Sequence, residues 1–357
     1  MTLEHVAAIP GRDGASVVVV DGTLPTVTTE TESVRHALDV LEPLVGRPTY
    51  LRVGALVGAF ILLEFDRGDG DTIPLGDAKA AQLASPELQP RVEEWLAELR
   101  GAPIDPLRPP WARPGWHARA EEWVGRPLDP YRLWPLAAVL ESEGEFFKAV
   151  FPLFHHEPVV TRALAARNPG DVPDVLRIDE HEGWLLMREI RGTEADGRAL
   201  ETLERIQHEW RDRHDELRAL GAPDRRLAIL ERQIAAFVAE FAPEHGHHVP
   251  ALERACRDLA RRGEPETIVH GDFHPGNAVI GENGRAVIFD WSDACIGHPS
   301  FDRHLFTWEN ETPETIPANL HQAVSYREIL ARMEPGDRWR FEAEPRRFLE
   351  RAVSPLV

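Results

Sequence analysis

The chain has 357 residues, with 43% hydrophobic and 28% charged side chains and a formal net charge of -20. That length suits two compact domains, since a single hydrophobic core stops growing near about 250 to 300 residues, and the composition is that of a globular protein without disordered tracts. A surface this acidic repels polyanions and no local basic patch offsets it, which excludes generic binding to nucleic acid or to anionic lipid.

Cys256 and Cys295 are too few for a disulfide framework and lack metal-site spacing, which fits a reducing cytoplasm. The opening residues, MTLEHVAAIPGRDG, hold no basic segment followed by an apolar run, so no secretory signal is expected. In chain order, β-rich runs come first: ASVVVV from Ala15, PTVTTE from Pro25, and VGALVGAFILLEF from Val53 to Phe65. The last is the most apolar stretch of the chain. It falls well short of the roughly 20 residues that cross a bilayer, so it reads as buried strand. Helical patterns at Glu32 to Val45 and Pro90 to Arg100 complete a small α/β domain over residues 1–100. Its order of elements loosely resembles a Nudix domain. Nothing between Thr31 and Gly46 supplies that family's Arg-Glu-x-x-Glu-Glu motif, so the resemblance implies a structural or regulatory role without hydrolase chemistry.

Between Gly101 and Gly115 five prolines fall in fifteen residues, which fixes backbone angles, removes amide donors and excludes helix and central strand. Residues 101–115 therefore read as a linker. A short helix is expected around Trp116 to Val124. A β-ribbon follows: LAAVLES from Leu136, a turn at Glu143 and Gly144, then EFFKAVF from Glu145 with Lys148 at its centre. A helix opens at Pro158, a favoured first helical residue, and runs to about Arg167. Strands VLRID at Val175 and GWLLMREI at Gly183 come next. From Glu194 to Arg262 the pattern is long, charged and helical, before short strands return at Ile268 and Ala286. The architecture is α+β: a β-rich lobe over residues 116–192, then a helical lobe over residues 193–357 in which a loop and a hairpin carry the polar residues.

Those polar residues lie in IVHGDFHPGN, from Ile268 to Asn277, and AVIFDWSDACIGHPSFD, from Ala286 to Asp302. Asp272 and Asn277 are five residues apart, and Asp290 follows thirteen residues later at the end of an apolar strand. Phosphoryl transfer needs such a set: one carboxylate to orient the attacking hydroxyl, plus an amide oxygen and a second carboxylate to hold magnesium on the phosphates. The alternative is a strand, an Asx-type turn and a second strand whose polar residues cap the backbone.

Both segments resemble the aminoglycoside phosphotransferase and choline kinase family, whose loops read His-Gly-Asp-x-His-x-x-Asn and Asp-Trp-x-x-Ala-x-x-Gly-x-Pro with a later Asp. The resemblance covers about residues 116–320. It implies a protein-kinase-like two-lobed fold and an ATP-dependent, Mg2+-requiring small-molecule kinase acting on a hydroxylated substrate. Carried over by position, Asp272 is the catalytic base and Asn277 and Asp290 are the magnesium ligands. His270 is then the structural histidine of the loop, and Asp302 the aspartate that braces it. Lys148 would neutralise the nucleotide phosphates, Glu157 would orient Lys148 or else cap the helix, and backbone groups near Met187 to Glu189 would meet adenine.

His274, His298 and the run His245 to His248 read as solvated loop histidines, because magnesium prefers oxygen ligands. Asp212, Asp215 and Glu216 read as a solvated helix face. A protein kinase is disfavoured, since no Gly-x-Gly-x-x-Gly precedes Lys148 and no Ala-Pro-Glu follows Asp290. The remaining alternative is a non-catalytic, nucleotide-binding regulator that keeps the fold without turnover.

Overall fold

In the computed structural model the described residues are 5–10, 15–21, 51–57, 60–66, 106–113, 115–307 and 312–357. They belong to two units, Met1–Phe151 with Met333–Arg338, and Pro152–Arg332 with Trp339–Val357.

The first unit holds an antiparallel sheet of β1 (His5–Pro10), β2 (Ala15–Asp21), β3 (Leu51–Val57) and β4 (Phe60–Asp66) in the order β1-β2-β4-β3. The apolar run from Val53 to Phe65 is therefore two strands paired with each other and not one. A continuous apolar run has no alternation to mark its reversal, so periodicity misses it. The strand expected at Pro25 and the helices expected at Glu32 to Val45 and Pro90 to Arg100, on which the Nudix resemblance rests, lie outside the described residues.

In the proline-rich segment, Pro110–Ala112 make one 3-10 turn that buries Trp111. Close by, the Arg108 guanidinium is buried against Glu334, with hydrogen bonds of 2.9 to 3.2 Å. Helix α1 (Trp116–Val124) ends on Gly125 in the left-handed region, whose N–H returns to Glu121 O at 2.7 Å. Its Trp116 and Trp123 rings pack on Phe147. Phe147 belongs to an antiparallel meander of β5 (Asp129–Trp134), β6 (Ala137–Ser142) and β7 (Glu145–Val150). Strand β5 went unread because Pro130 argues against a strand; a bulge at Pro130/Arg132 accommodates it. Glu143 and Gly144, both at positive φ, turn β6 into β7.

The second unit opens with α2 (Glu157–Arg167) and the hairpin of β8 (Val175–Asp179) and β9 (Trp184–Arg188). Helices α3 (Gly197–Glu209), α4 (His214–Ala219), α5 (Leu227–Phe241) and α6 (Val249–Ala260) follow, the first introduced by β10 (Gly192–Glu194). Asp212 is not on a helix: it sits in the turn between α3 and α4 at φ 59. Asp215 and Glu216 are on α4 and pair with Arg218, Arg167 and Arg213.

Four short strands then position the polar residues. β11 (Thr267–Val269) pairs with β14 (Cys295–Gly297), and β12 (Ala278–Gly281) pairs with β13 (Ala286–Ile288) and with β10. The segment from β11 to β12 and the segment from β13 to β14 are thus forced side by side. One apolar core, with Leu203, Ile206, Phe273, Ile288 and Trp291 among its members, lies beneath these loops. A second is built from α5 and α6 with α8 (Ile316–Arg332) and α9 (Glu344–Val353), α7 (Ser300–Thr307) adding Phe301. Among the described residues no helix is long and apolar enough to cross a membrane.

Candidate active site

The loop His270–Asn277 is held from inside. His270 has no exposed surface; its Nε2 lies 2.9 Å from Phe289 O, and its ring packs against Trp291 and Phe273. Burial depresses its basicity, so the neutral ring donates through Nε2. Gly271 follows at φ +86. A Cβ there would stand 2.3 Å from Asp293 O, so only glycine allows the two loops to approach this closely. The N–H groups of His270 and Gly271 donate to Asp302 at 2.8 and 2.9 Å, and Gln207 Nε2 donates to the same carboxylate at 2.8 Å. Gln322, on α8, donates to Gly271 O.

With its backbone fixed this way, Asp272 keeps its carboxylate half-exposed. Asn277 Nδ2 donates to Asp272 O at 2.8 Å, which commits the amide nitrogen to the loop and leaves Oδ1 as the acceptor. Phe289 N donates to Asn277 O at 3.0 Å, tying the second loop to the first. Asp290 then adopts φ 64, ψ 61, a left-handed conformation that costs a non-glycine residue energy and recurs where function demands it. Ser292 Oγ lies 2.9 Å from Asp290 Oδ1 and 2.6 Å from Glu157 Oε2.

Asp272, Asn277 and Asp290 thus lie in the second unit on two loops joined by the Phe289 N to Asn277 O bond, and Ser292 joins Glu157 to Asp290. Glu157 is 1% exposed and is the first residue of α2; the N-cap position is His156 and no side chain caps the helix. Lys148 lies in the first unit, 4% exposed, opposite Val139 in β7. Met187 pairs with Val175 near the end of β9, and Glu189 follows the strand with its side chain 3.0 Å from Arg191.

The donor set is a carboxylate and an amide oxygen beside a second carboxylate, which suits a small hard cation such as magnesium. Of the histidines, His274 is half-exposed and its Nδ1 accepts from Gly276 N at 3.0 Å. His298 differs from expectation: it is buried, its Nδ1 lies 2.7 Å from Ser300 Oγ, and burial pushes its pKa down to about 4. It is a packed part of the helix α7 entry and not a solvated loop residue. Three positioning residues escaped the sequence: Gln207 and Gln322 act from 95 and 51 residues away along the chain, and Ser292 occupies an unspecified motif position.

An antiparallel meander in one unit and two loops carried by paired short strands on a helical body in the other make up a kinase-like α+β fold. Residues 132–335, more than half of the chain, match the phosphotransferase enzyme family (APH), and the chain belongs to that family. A choline/ethanolamine kinase family protein from Mesorhizobium loti is similar at 18% identity and a TM-score of 0.50, covering 67% of this chain and 93% of its own. The choline kinase LicA from Streptococcus pneumoniae is similar at 13% identity and a TM-score of 0.46, covering 67% and 98%. The streptomycin–ATP–APH(2'')-IIa ternary complex is similar at 13% identity and a TM-score of 0.40, covering 67% and 94%. No curated protein matches the chain.

Proposed function

We propose that the protein is an ATP-dependent small-molecule kinase that transfers a phosphoryl group to the hydroxyl of a small substrate. The observation that carries this reading is that the loop bearing Asp272 and Asn277, braced by the buried Asp302, is tied to the loop bearing Asp290 through Phe289 N and Asn277 O. Magnesium, when bound through Asn277 and Asp290, would neutralise phosphate charge. Asp272 orients the attacking hydroxyl and accepts its proton. Its carboxylate is accessible while its backbone is fixed, the combination that positioning a mobile acceptor requires. Asn277 keeps that backbone in register by donating to Asp272 O.

Lys148 is assigned to the nucleotide phosphates by its place at the centre of β7, and Met187 and Glu189 to the adenine. Arg188 N donates to Asp174 O at 3.0 Å, so that N–H is not offered to adenine.

The test is to screen ATP consumption against a panel of hydroxylated metabolites and antibiotics, then to assay Asp272→Asn. The amide cannot accept the proton, so turnover should fall by about 10² to 10⁴ with ATP affinity retained. Equal turnover in the variant would remove the catalytic assignment and favour a nucleotide-binding regulator; loss of ATP binding with turnover would make Asp272 structural.

A further inference from the structure

We propose that Ser292 is a positioning residue for Asp290, its hydroxyl coupling that carboxylate to Glu157 so that helix α2 sets how Asp290 presents its oxygens to a cation. The inference rests on the phosphotransferase reading and adds a residue to it.

Ser292 is itself immobile. It sits in the 3-10 turn Trp291–Asp293, directly after a fully buried Trp291 whose Nε1 donates to Ile288 O at 3.1 Å. Glu157 is equally fixed, one turn before Val160 and Thr161, both buried on α2. Asp290 stands between these anchors in a left-handed conformation. A non-glycine residue held in that conformation costs energy and persists where its surroundings fix it. Ser292 Oγ supplies one such contact, at 2.9 Å from Asp290 Oδ1.

One hydroxyl carries one proton, yet it lies within hydrogen-bond distance of two carboxylates. That shared hydroxyl joins a residue at the start of α2 to the carboxylate that follows β13. The orientation of Asp290, and with it the strength of cation binding there, is linked through this hydroxyl to Glu157, a residue on a different element that the loop sequence does not contain. Partners behind a ligand of this kind typically change metal affinity by about 10- to 100-fold when removed.

The experiment measures Mn2+ binding to the full-length protein with ATP by electron paramagnetic resonance, for the wild type and for Ser292→Ala, Ser292→Thr, Glu157→Gln, Asp290→Ala and the Ser292→Ala/Glu157→Gln double variant. ATP affinity in excess chelator and thermal melting serve as controls. Ser292→Ala should weaken Mn2+ binding about tenfold, Ser292→Thr should restore it, and the double variant should be no weaker than the weaker single variant. Normal Mn2+ affinity in Ser292→Ala alongside loss in Asp290→Ala overturns the role of Ser292 and leaves the kinase reading standing. Additive effects of Ser292→Ala and Glu157→Gln overturn it as well. Normal Mn2+ affinity in Asp290→Ala overturns both the inference and the metal assignment beneath it.

Discussion

Helix α7 presents two neighbouring residues to two very different buried settings. Asp302 receives three hydrogen bonds, two of them from the backbone of the catalytic loop. Phe301 stacks at 5.1 Å on His321, which is 1% exposed and has no hydrogen-bond partner at either ring nitrogen. His321 shares a cavity of about 20 Å³ with Arg225, Glu328, Ser325 and His156, whose Nε2 also lacks a partner. A buried polar group stabilises a fold only when its hydrogen bonds are made, and one left unsatisfied costs the desolvation it cannot recover. The pair separates two settings for buried polarity: Asp302 is hydrogen-bonded within the protein and determines the shape of the active-site loop, whereas His321 has no protein partner and packs by its ring on Phe301.

The comparison breaks most severely at Asp302. Asp302→Ala removes the acceptor from three buried donors at once, so the expected loss is about 3 to 5 kcal/mol, with turnover lost because the loop backbone relaxes. Calorimetric melting at pH 5, below the value at which this contribution is lost, measures it. A loss under about 1 kcal/mol would mean that the loop is held by something other than this carboxylate.

Acid sharpens the contrast, because the two groups respond to pH with opposite sign. Burial pushes the His321 pKa down to about 3, the positive charge of Arg225 adding to the effect. The unfolded chain binds a proton near pH 6.5 that the folded protein refuses, so stability from this group is present above about 6.5 and is lost as pH falls toward the folded value. Burial pushes the Asp302 carboxyl up to about 7, against the pull of its three donors, so its contribution is lost as pH rises through that value. Between pH 6.5 and 5 the histidine term amounts to about 2 kcal/mol. His321→Phe keeps the stack on Phe301 and removes the titration. The variant should therefore lose about 2 kcal/mol less than the wild type over that interval, read from melting curves at both pH values. Identical acid sensitivity in the two proteins would show that His156, His298 or the carboxylates control the response.

The legible and illegible parts divide along the same physical line. Strands β6 and β7, the turn at Glu143 and Gly144, and helices α1 and α2 are encoded locally by alternation, turn residues and Pro158, and the sequence reading places them within a residue or so. The spacing of Asp272, Asn277 and Asp290 is likewise local. What spacing cannot carry is a partner supplied from elsewhere in the fold. Gln207 reaches Asp302, Gln322 reaches Gly271, and Ser292 reaches Glu157 across 135 residues, and none has a neighbouring signal. The burial of His298 failed for the same reason, since a histidine in a loop motif says nothing about which helix will cover it.

The smallest expected effect lies at the surface, where a carboxylate with several partners should matter little despite resembling Asp302 on paper. Glu216 accepts from Arg167 at 3.1 Å and from Arg213 at 3.3 Å, and the Arg167 guanidinium also lies 4.7 Å over the Trp210 ring. The Glu216 side chain is 41% exposed. Water there competes for the same charges and salt screens them, so an exposed pair of this kind contributes about 0.2 to 1 kcal/mol. Glu216→Gln keeps the shape and removes the charge, and Arg167 retains its place on Trp210. The variant should melt within about 0.5 kcal/mol of the wild type in low salt, with the difference vanishing at high salt. A loss of Asp302 size that persists in salt would mean that Glu216 is desolvated in solution, and that the number of partners decides the outcome where burial is expected to.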